Sequence, residues 1–263
     1  MKYPDLADKT VMIVGAAQGI GRGTAEVFAQ NDVKLFLCDK NVEKMQQTAK
    51  EIMANSKASV FVHEVDITDA ASIQAAVDAG AAEYGSIDVL VNCAGLCIAS
   101  KVIDLEEELW DLHMNVNLKG HYLLSKAVAR HMIEKGVKGK ILTISSQASK
   151  AAEYGNVSYC CSKAAINMFT QVLALELAEH GITVNCVCPG YVNTDIMQRV
   201  FIERGPLEGM TPEEYEKKLC SAVPLNRMAE PREIGEFLAF LASAQADYIT
   251  GSALGITGGN TLI

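Results

Sequence analysis

The feature that most constrains this chain is a strand-length apolar run that ends in closely spaced glycines and passes straight into a helical stretch. Residues 10–15 (TVMIVG) lead into Gly15-Ala16-Ala17-Gln18-Gly19-Ile20-Gly21, and residues 21–30 carry helical periodicity. Glycines at such a turn let the backbone reverse sharply and leave room for a pyrophosphate, whose charge meets the unsatisfied N–H groups of a helix start. The spacing is GxxxGxG and not GxGxxG. Set between a strand and a helix, it predicts a dinucleotide-binding turn.

Further β-rich runs follow at 34–38 (KLFLC), 59–65 (SVFVHEV), 87–91 (IDVLV), 140–144 (KILTI) and 183–188 (TVNCVC). They are apolar almost throughout, as strands of a parallel sheet covered on both faces must be. Helical patterns separate them, among them Val42–Asn55, Ala70–Tyr84, 109–134 and 158–180, the last followed by Gly181 as a C′ residue. Residues 251–259 (GSALGITGG) offer a seventh short strand. Repeated strand–helix alternation requires right-handed crossovers. The expected fold is α/β: a single-domain, doubly wound, Rossmann-type parallel sheet of about seven strands with helices on both faces, spanning 1–263. The pattern loosens over 191–231, which holds four of the six prolines. Leaving the carboxyl edge of a late strand, this segment is expected to form a substrate lid, with a plain surface excursion as the alternative.

Charge and composition remove other classes. With 23 basic and 32 acidic residues the net charge is −9, so no general attraction to nucleic acid or anionic membrane is expected. No apolar run approaches the roughly 18 residues of a spanning helix. MKYPDLADKT lacks the apolar core of a secretory signal, so a cytoplasmic protein is expected. The eight cysteines form no CxxC pair and have no histidine at zinc-ligand spacing. They are read as small hydrophobes in a reducing compartment, with no metal site.

The second strand run closes on Leu37-Cys38-Asp39, about 20 residues beyond the glycines. A carboxylate there can accept both hydroxyls of an adenosine ribose and repels a 2′-phosphate, so Asp39 favours NAD. The basic neighbour Lys40 keeps NADP as the lesser alternative.

Three more strings fall in order: Asn92-Cys93-Ala94-Gly95 after the fourth strand, Ser145-Ser146 after the fifth, and Tyr159-Cys160-Cys161-Ser162-Lys163 opening the next helix. With the glycine turn, they resemble the short-chain dehydrogenase/reductase family over nearly the whole chain. The resemblance implies that Gly15, Gln18, Gly19, Ile20 and Gly21 form the dinucleotide turn. It places Asp66 and Ile67 at the adenine, Asn92 and Gly95 beside the cofactor, and Pro189, Gly190, Val192 and Thr194 around the nicotinamide amide. It carries over a catalytic tetrad of Asn117, Ser146, Tyr159 and Lys163. Two positions depart from the family pattern: Val14 stands for a threonine, and NCAG for NNAG. A second YxxxK string, Tyr122 to Lys126, has no strand-end serine upstream and is read as structural.

Tyr159 and Lys163 are i and i+4 and share one helical face. A free phenol titrates near 10. An ammonium about 6 Å away would stabilise the phenolate by roughly 2–3 kcal/mol, bringing the phenol toward about 8. Tyr159 is therefore expected to exchange the carbinol proton while a hydride moves between carbon and nicotinamide, with Ser146 hydrogen-bonding the alkoxide. By the resemblance, Lys163 also binds the nicotinamide ribose, and Asn117 holds a water linking Lys163 to solvent.

Gln147, Glu153 and Tyr191 join Ser146 and Tyr159 as substrate candidates, since hydrogen-bonding groups there would reject analogues lacking hydroxyls. SSQAS…SYCCSK resembles the sugar-alcohol dehydrogenase and xylulose reductase branch of the family. The expected substrate is a polyol or vicinal diol and its keto form. The alternatives are 3-oxoacyl-thioester reduction with NADPH, a hydroxysteroid-type reaction, and a catalytically silent NAD-binding scaffold. Apolar residues beyond one stripe on 109–134 and 158–180, together with the resemblance, point to a homotetramer or homodimer.

Overall fold

The computed structural model describes residues 3–261. The strands are β1 (Thr10–Val14), β2 (Lys34–Asp39), β3 (Ser59–Glu64), β4 (Val89–Asn92), β5 (Lys140–Ile144), β6 (Thr183–Pro189) and β7 (Ala253–Ile256). They make one seven-stranded sheet in the order β3-β2-β1-β4-β5-β6-β7. Every pairing is parallel. The helices are α1 (Gly19–Phe28), α2 (Val42–Asn55), α3 (Ala70–Tyr84), α4 (Glu107–Met114), α5 (Gly120–Lys135), α6 (Val157–Leu177), α7 (Asp195–Leu207), α8 (Pro212–Ala222) and α9 (Pro231–Ala242).

The continuous apolar reading of the strands has a direct structural counterpart, because alternate residues feed two cores. Val11 and Ile13 of β1 join Leu35, Leu37, Val89 and Val91 in a layer closed by Ile234 and Leu238 of α9. Met12 and Val14 join Phe36, Leu90 and Ile141 in the opposite layer, closed by Ile73 of α3, Leu124 of α5 and Leu177 of α6. A strand buried on both faces has no polar face to spare.

The chain runs outward from β1 to β3, then returns to place β4 beside β1. That reversal opens a crevice at the carboxyl ends of the two strands, where open α/β sheets bind ligands.

Two regions differ from the sequence reading. The helix expected over 109–134 is interrupted by a π-turn, Asn115–Lys119, between α4 and α5. The residue it adds to the helical repeat re-aims the side chains that follow, and such turns gather at functional sites. The loose segment 191–231 is ordered instead into α7 and α8. Thr194 caps α7, and α8 opens with a capping box of Thr211 and Glu214 around Pro212. The ends of the excursion meet, with Asn193 N donating to Ala229 O and Ala229 N to Tyr191 O, both at 2.9 Å. Among the described residues no helix is long and apolar enough to cross a membrane.

Candidate active site

The crevice holds a cleft of about 430 Å³. One wall is the glycine turn. Gly15 has φ +81°, and a Cβ there would lie 2.7 Å from Ala94 N. A Cβ on Gly21 would lie 2.0 Å from the Gly15 carbonyl oxygen, so neither position admits a side chain. Gln18 precedes α1 without a side-chain cap, leaving the helix's first N–H groups to an anion. Asp39 steadies this turn: its Oδ2 accepts from Ala17 N and its Oδ1 from Asn41 N, both at 2.9 Å. A carboxylate has about four acceptor positions, so room remains for a diol.

Farther out, Asp66 Oδ1 accepts from Thr68 N and Thr68 Oγ1 at 2.9 and 2.7 Å. Those bonds, aided by Lys40 at 3.6 Å, hold its carboxyl below the ordinary range. Lys40, the residue that left NADP open, thus faces a carboxylate. Opposite the turn, Thr194 packs on Gly19, and Lys44 donates to Gln18 and, at 2.8 Å, to Asp195 Oδ2 at the start of α7. This cross-cleft strap joins α2 to α7 across 151 residues, and no local signal in the sequence announces it.

At the inner end stand Ser146, Tyr159 and Lys163. Ser145 Oγ donates to Lys163 O at 3.0 Å and to Asn167 Oδ1 at 2.7 Å, fixing α6 against the end of β5. Lys163 Nζ donates to Ile144 O at 2.8 Å and lies 5.7 Å from the Tyr159 ring centroid. The Ser146 side chain favours the Tyr159 phenolate. Burial outweighs it and pushes the phenol above 10, where charge balance alone led us to expect a fall toward about 8. The same burial brings Lys163 down to about 8. Desolvation disfavours both charged forms, and an argument from the two charges alone leaves it out.

Gly15, Gln18, Gly19, Ile20, Gly21, Asp39, Asp66, Ile67, Gly95, Pro189, Gly190, Val192 and Thr194 all line the cleft with Ser146, Tyr159 and Lys163. Asn92 and Asn117 stand behind the wall. Asn92 Oδ1 accepts from Ala94 N at 3.1 Å, while its buried Nδ2 has no partner among the described residues. Asn117, carried inward by the π-turn, accepts from Leu96 N and donates to Leu96 O, both at 2.9 Å. His121, four residues on, bonds Ala94 O at 2.9 Å, and His113, four residues back, accepts from Ile98 N at 3.2 Å. Three side chains of one helical face thus grip alternate residues of the extended wall.

Of the substrate candidates, Gln147, Glu153 and Tyr191 lie outside the cleft lining. Gln147 is buried and accepts from Asn260 Nδ2 at 2.9 Å, a contact spanning 113 residues. Glu153 pairs with Arg204 at 2.8 Å. Tyr191 packs with Tyr159 against Met197, Phe201 and Tyr215. The second YxxxK pair is exposed, with Lys126 Nζ donating to Tyr122 OH at 3.2 Å outside the cleft. Burial pushes the thiols of Cys93 and Cys97, both at the cleft, up to about 12. Among the described residues no group of three metal-ligating side chains forms.

The glycine cradle, the uncapped helix start and the ribose-side carboxylate fit a nicotinamide dinucleotide. The short chain dehydrogenase family matches residues 9–205. Oxidoreductase UcpA of Salmonella typhimurium is 40% identical over 258 residues, covering 98% of this chain and 96% of that protein. Galactitol 2-dehydrogenase of Agrobacterium fabrum is 37% identical over 97% of this chain and 98% of its own length. NAD-dependent glycerol dehydrogenase of Listeria innocua is 36% identical, with 98% and 96% covered. Among solved structures, a variant of actinorhodin polyketide ketoreductase with NADPH superposes with a TM-score of 0.93 at 31% identity, each chain covered in full.

Proposed function

The chain belongs to the short-chain dehydrogenase/reductase family, and from that membership we propose that it interconverts a sugar alcohol or vicinal diol and its keto form with NAD(H). The coarser statement needs no proposal: the protein is an oxidoreductase acting on CH–OH and C=O groups. The observation that carries the reading is the meeting of Ser146, Tyr159 and Lys163 at the inner end of a cleft whose outer wall is the glycine turn.

NAD is the cofactor of this reading because Asp39 sets a negative charge at the cleft where a 2′-phosphate would have to sit. Gly15, Gly19, Gly21 and the start of α1 would hold the pyrophosphate, Asp39 the ribose, Asp66 and Ile67 the adenine, and Pro189–Thr194 the carboxamide. The bound nicotinamide supplies the hydride acceptor or donor.

The rest falls to the chain. Tyr159 takes the hydroxyl proton in oxidation and returns it in reduction. Ser146, at the inner end of the cleft with Tyr159, meets the oxygen on which charge develops. Lys163 is held by Ile144 O with its charge facing the phenol, so phenolate and ammonium stabilise each other in a site that otherwise disfavours both. Asn117 fixes the Leu96 wall and places its turn beside Ser162, to which it donates at 3.3 Å.

The polyol assignment draws on two relatives named for polyols. Reduction with NADPH is the second reading, favoured by the NADPH-bound ketoreductase. Segment 191–231 serves as a substrate lid, its α7 facing the glycine turn. Leu175 of α6 is 81% exposed and Tyr122 of α5 42%, an apolar face suited to a homotetramer or homodimer in the cytoplasm. Incubation with NAD and, in turn, galactitol, sorbitol, xylitol, butanediol and hydroxyacyl thioesters tests the reading by nicotinamide absorbance. Reduction of NAD with a polyol is the expected result; turnover of thioesters alone, with NADPH preferred, would replace it by the second.

A further inference from the structure

Beyond Tyr159, on the side away from the glycine turn, a charged pair lies inside the apolar cluster of the 191–231 segment. Arg204 of α7 is 5% exposed, its guanidinium 5.7 Å from the ring centroid of Tyr215, a member of that cluster. Its partner is Glu153, in the loop between β5 and α6. Glu153 Oε2 accepts from Arg204 NH1 at 2.8 Å and from Asn156 Nδ2 at 3.0 Å. Among the described residues Oε1 accepts only from Gln147 Nε2, at 3.4 Å, so it is the less engaged oxygen and lies toward the residue that follows Ser146. The Glu153 side chain keeps 15% of its surface open against 6% for Arg204.

Stability alone gives little reason for this pair. Replacing a buried ion pair by apolar residues of similar size is often neutral or stabilising, and the surrounding cluster is already apolar. Arg204 Nε has no partner among the described residues, a further cost of keeping the guanidinium inside. What the pair does secure is a carboxylate oriented by two donors on one oxygen. Glu153 stands just behind the cleft wall: Asn156, which donates to its Oε2, also accepts from Cys97 Sγ at 3.4 Å, and Cys97 lines the cleft.

We propose that Arg204 is a positioning residue that sets substrate specificity: it holds Glu153 as a fixed acceptor for a substrate hydroxyl remote from the reacting carbinol, and so selects polyols over simple secondary alcohols. The inference rests on the polyol reading above. A site built to accept a hydroxyl discriminates against the analogue that lacks it, because the acceptor is then left buried and unpaired.

The test compares kcat/KM for the best polyol of the panel with kcat/KM for 2-butanol, in the full chain with NAD, alongside NADH binding by fluorescence. Arg204→Met should lower the polyol-to-butanol ratio by about tenfold or more, chiefly through the polyol KM. Arg204→Lys, which keeps the charge, should recover part of it. Glu153→Gln, nearly isosteric, should lower the same ratio and decides the matter if Arg204→Met does not fold. A ratio within twofold of the parent in the variants, with the parent preferring polyols, overturns this inference alone. A parent without any polyol preference overturns the substrate reading, and this inference falls with it.

Discussion

Lys163 Nζ lies 5.7 Å from the centre of the Tyr159 ring and is fixed there by a 2.8 Å hydrogen bond to the Ile144 carbonyl. The amine that faces the phenol therefore also anchors the start of α6 to the end of β5. Burial lowers Lys163 to about 8 and raises Tyr159, so neither charge is favourable alone. An ammonium on Lys163 and a phenolate on Tyr159 attract, which opposes this burial cost.

The glycine turn has no spare volume at Gly21, where a Cβ would meet the Gly15 carbonyl oxygen at 2.0 Å. Gly21→Ala must displace the turn and with it the N–H groups that face the pyrophosphate. NADH affinity measured by fluorescence titration should fall at least about tenfold, the range in which a single lost charge-assisted contact acts. Unchanged affinity would show that the turn does not hold the cofactor.

Asp39 bonds the glycine turn and, in the proposed function, also selects NAD; one substitution can separate the two. Asp39→Asn keeps an oxygen for Ala17 N–H, now bonded at 2.9 Å, and removes the negative charge. The ratio of kcat/KM with NAD to that with NADP should shrink by about tenfold, because repulsion of the 2′-phosphate is gone. An unchanged ratio would remove Asp39 from cofactor selection.

Acid stability should reveal His121. Burial, with the Lys163 charge, lowers this imidazole from 6.5 to about 3, so it stays neutral in the native state while the unfolded chain takes up a proton below 6.5. The unfolded state then binds more protons, and stability falls as pH drops. Between pH 6.5 and 5, before most carboxylates titrate, the loss from this group is about 2 kcal/mol. His113 and His131 are lowered too, so the parent loses more than one group's share. Urea midpoints at pH 7 and pH 5 should converge in His121→Gln relative to the parent. An equal drop in both proteins would contradict the assignment.

What the chain displays locally, it displayed well. The apolar runs mark the five central strands because a two-faced strand must be apolar throughout, whereas the edge strands β3 and β7 are only half-buried, and the glycines mark the turn because sterics allow nothing else. The π-turn at Asn115–Lys119 escaped, since a one-residue insertion leaves helical periodicity nearly intact. Contacts between distant segments escaped as well. Arg204 meets Glu153 across 51 residues and Asn260 meets Gln147 across 113, and no window of sequence holds either pair. The direction of the Tyr159 shift was misjudged for a related reason: the amine four residues on is visible in the sequence, whereas the depth of burial is set by the whole fold.

The most direct measurement is single-turnover hydride transfer in Tyr159→Phe, which removes one oxygen and leaves the ring packed against Tyr191 and Met197. Transfer from the polyol to NAD should slow by roughly 10²–10⁴-fold, the usual worth of a positioned acid–base group, while NADH still binds. A rate within tenfold of the parent would mean that the proton leaves by another route and that Tyr159 is not the group that moves it.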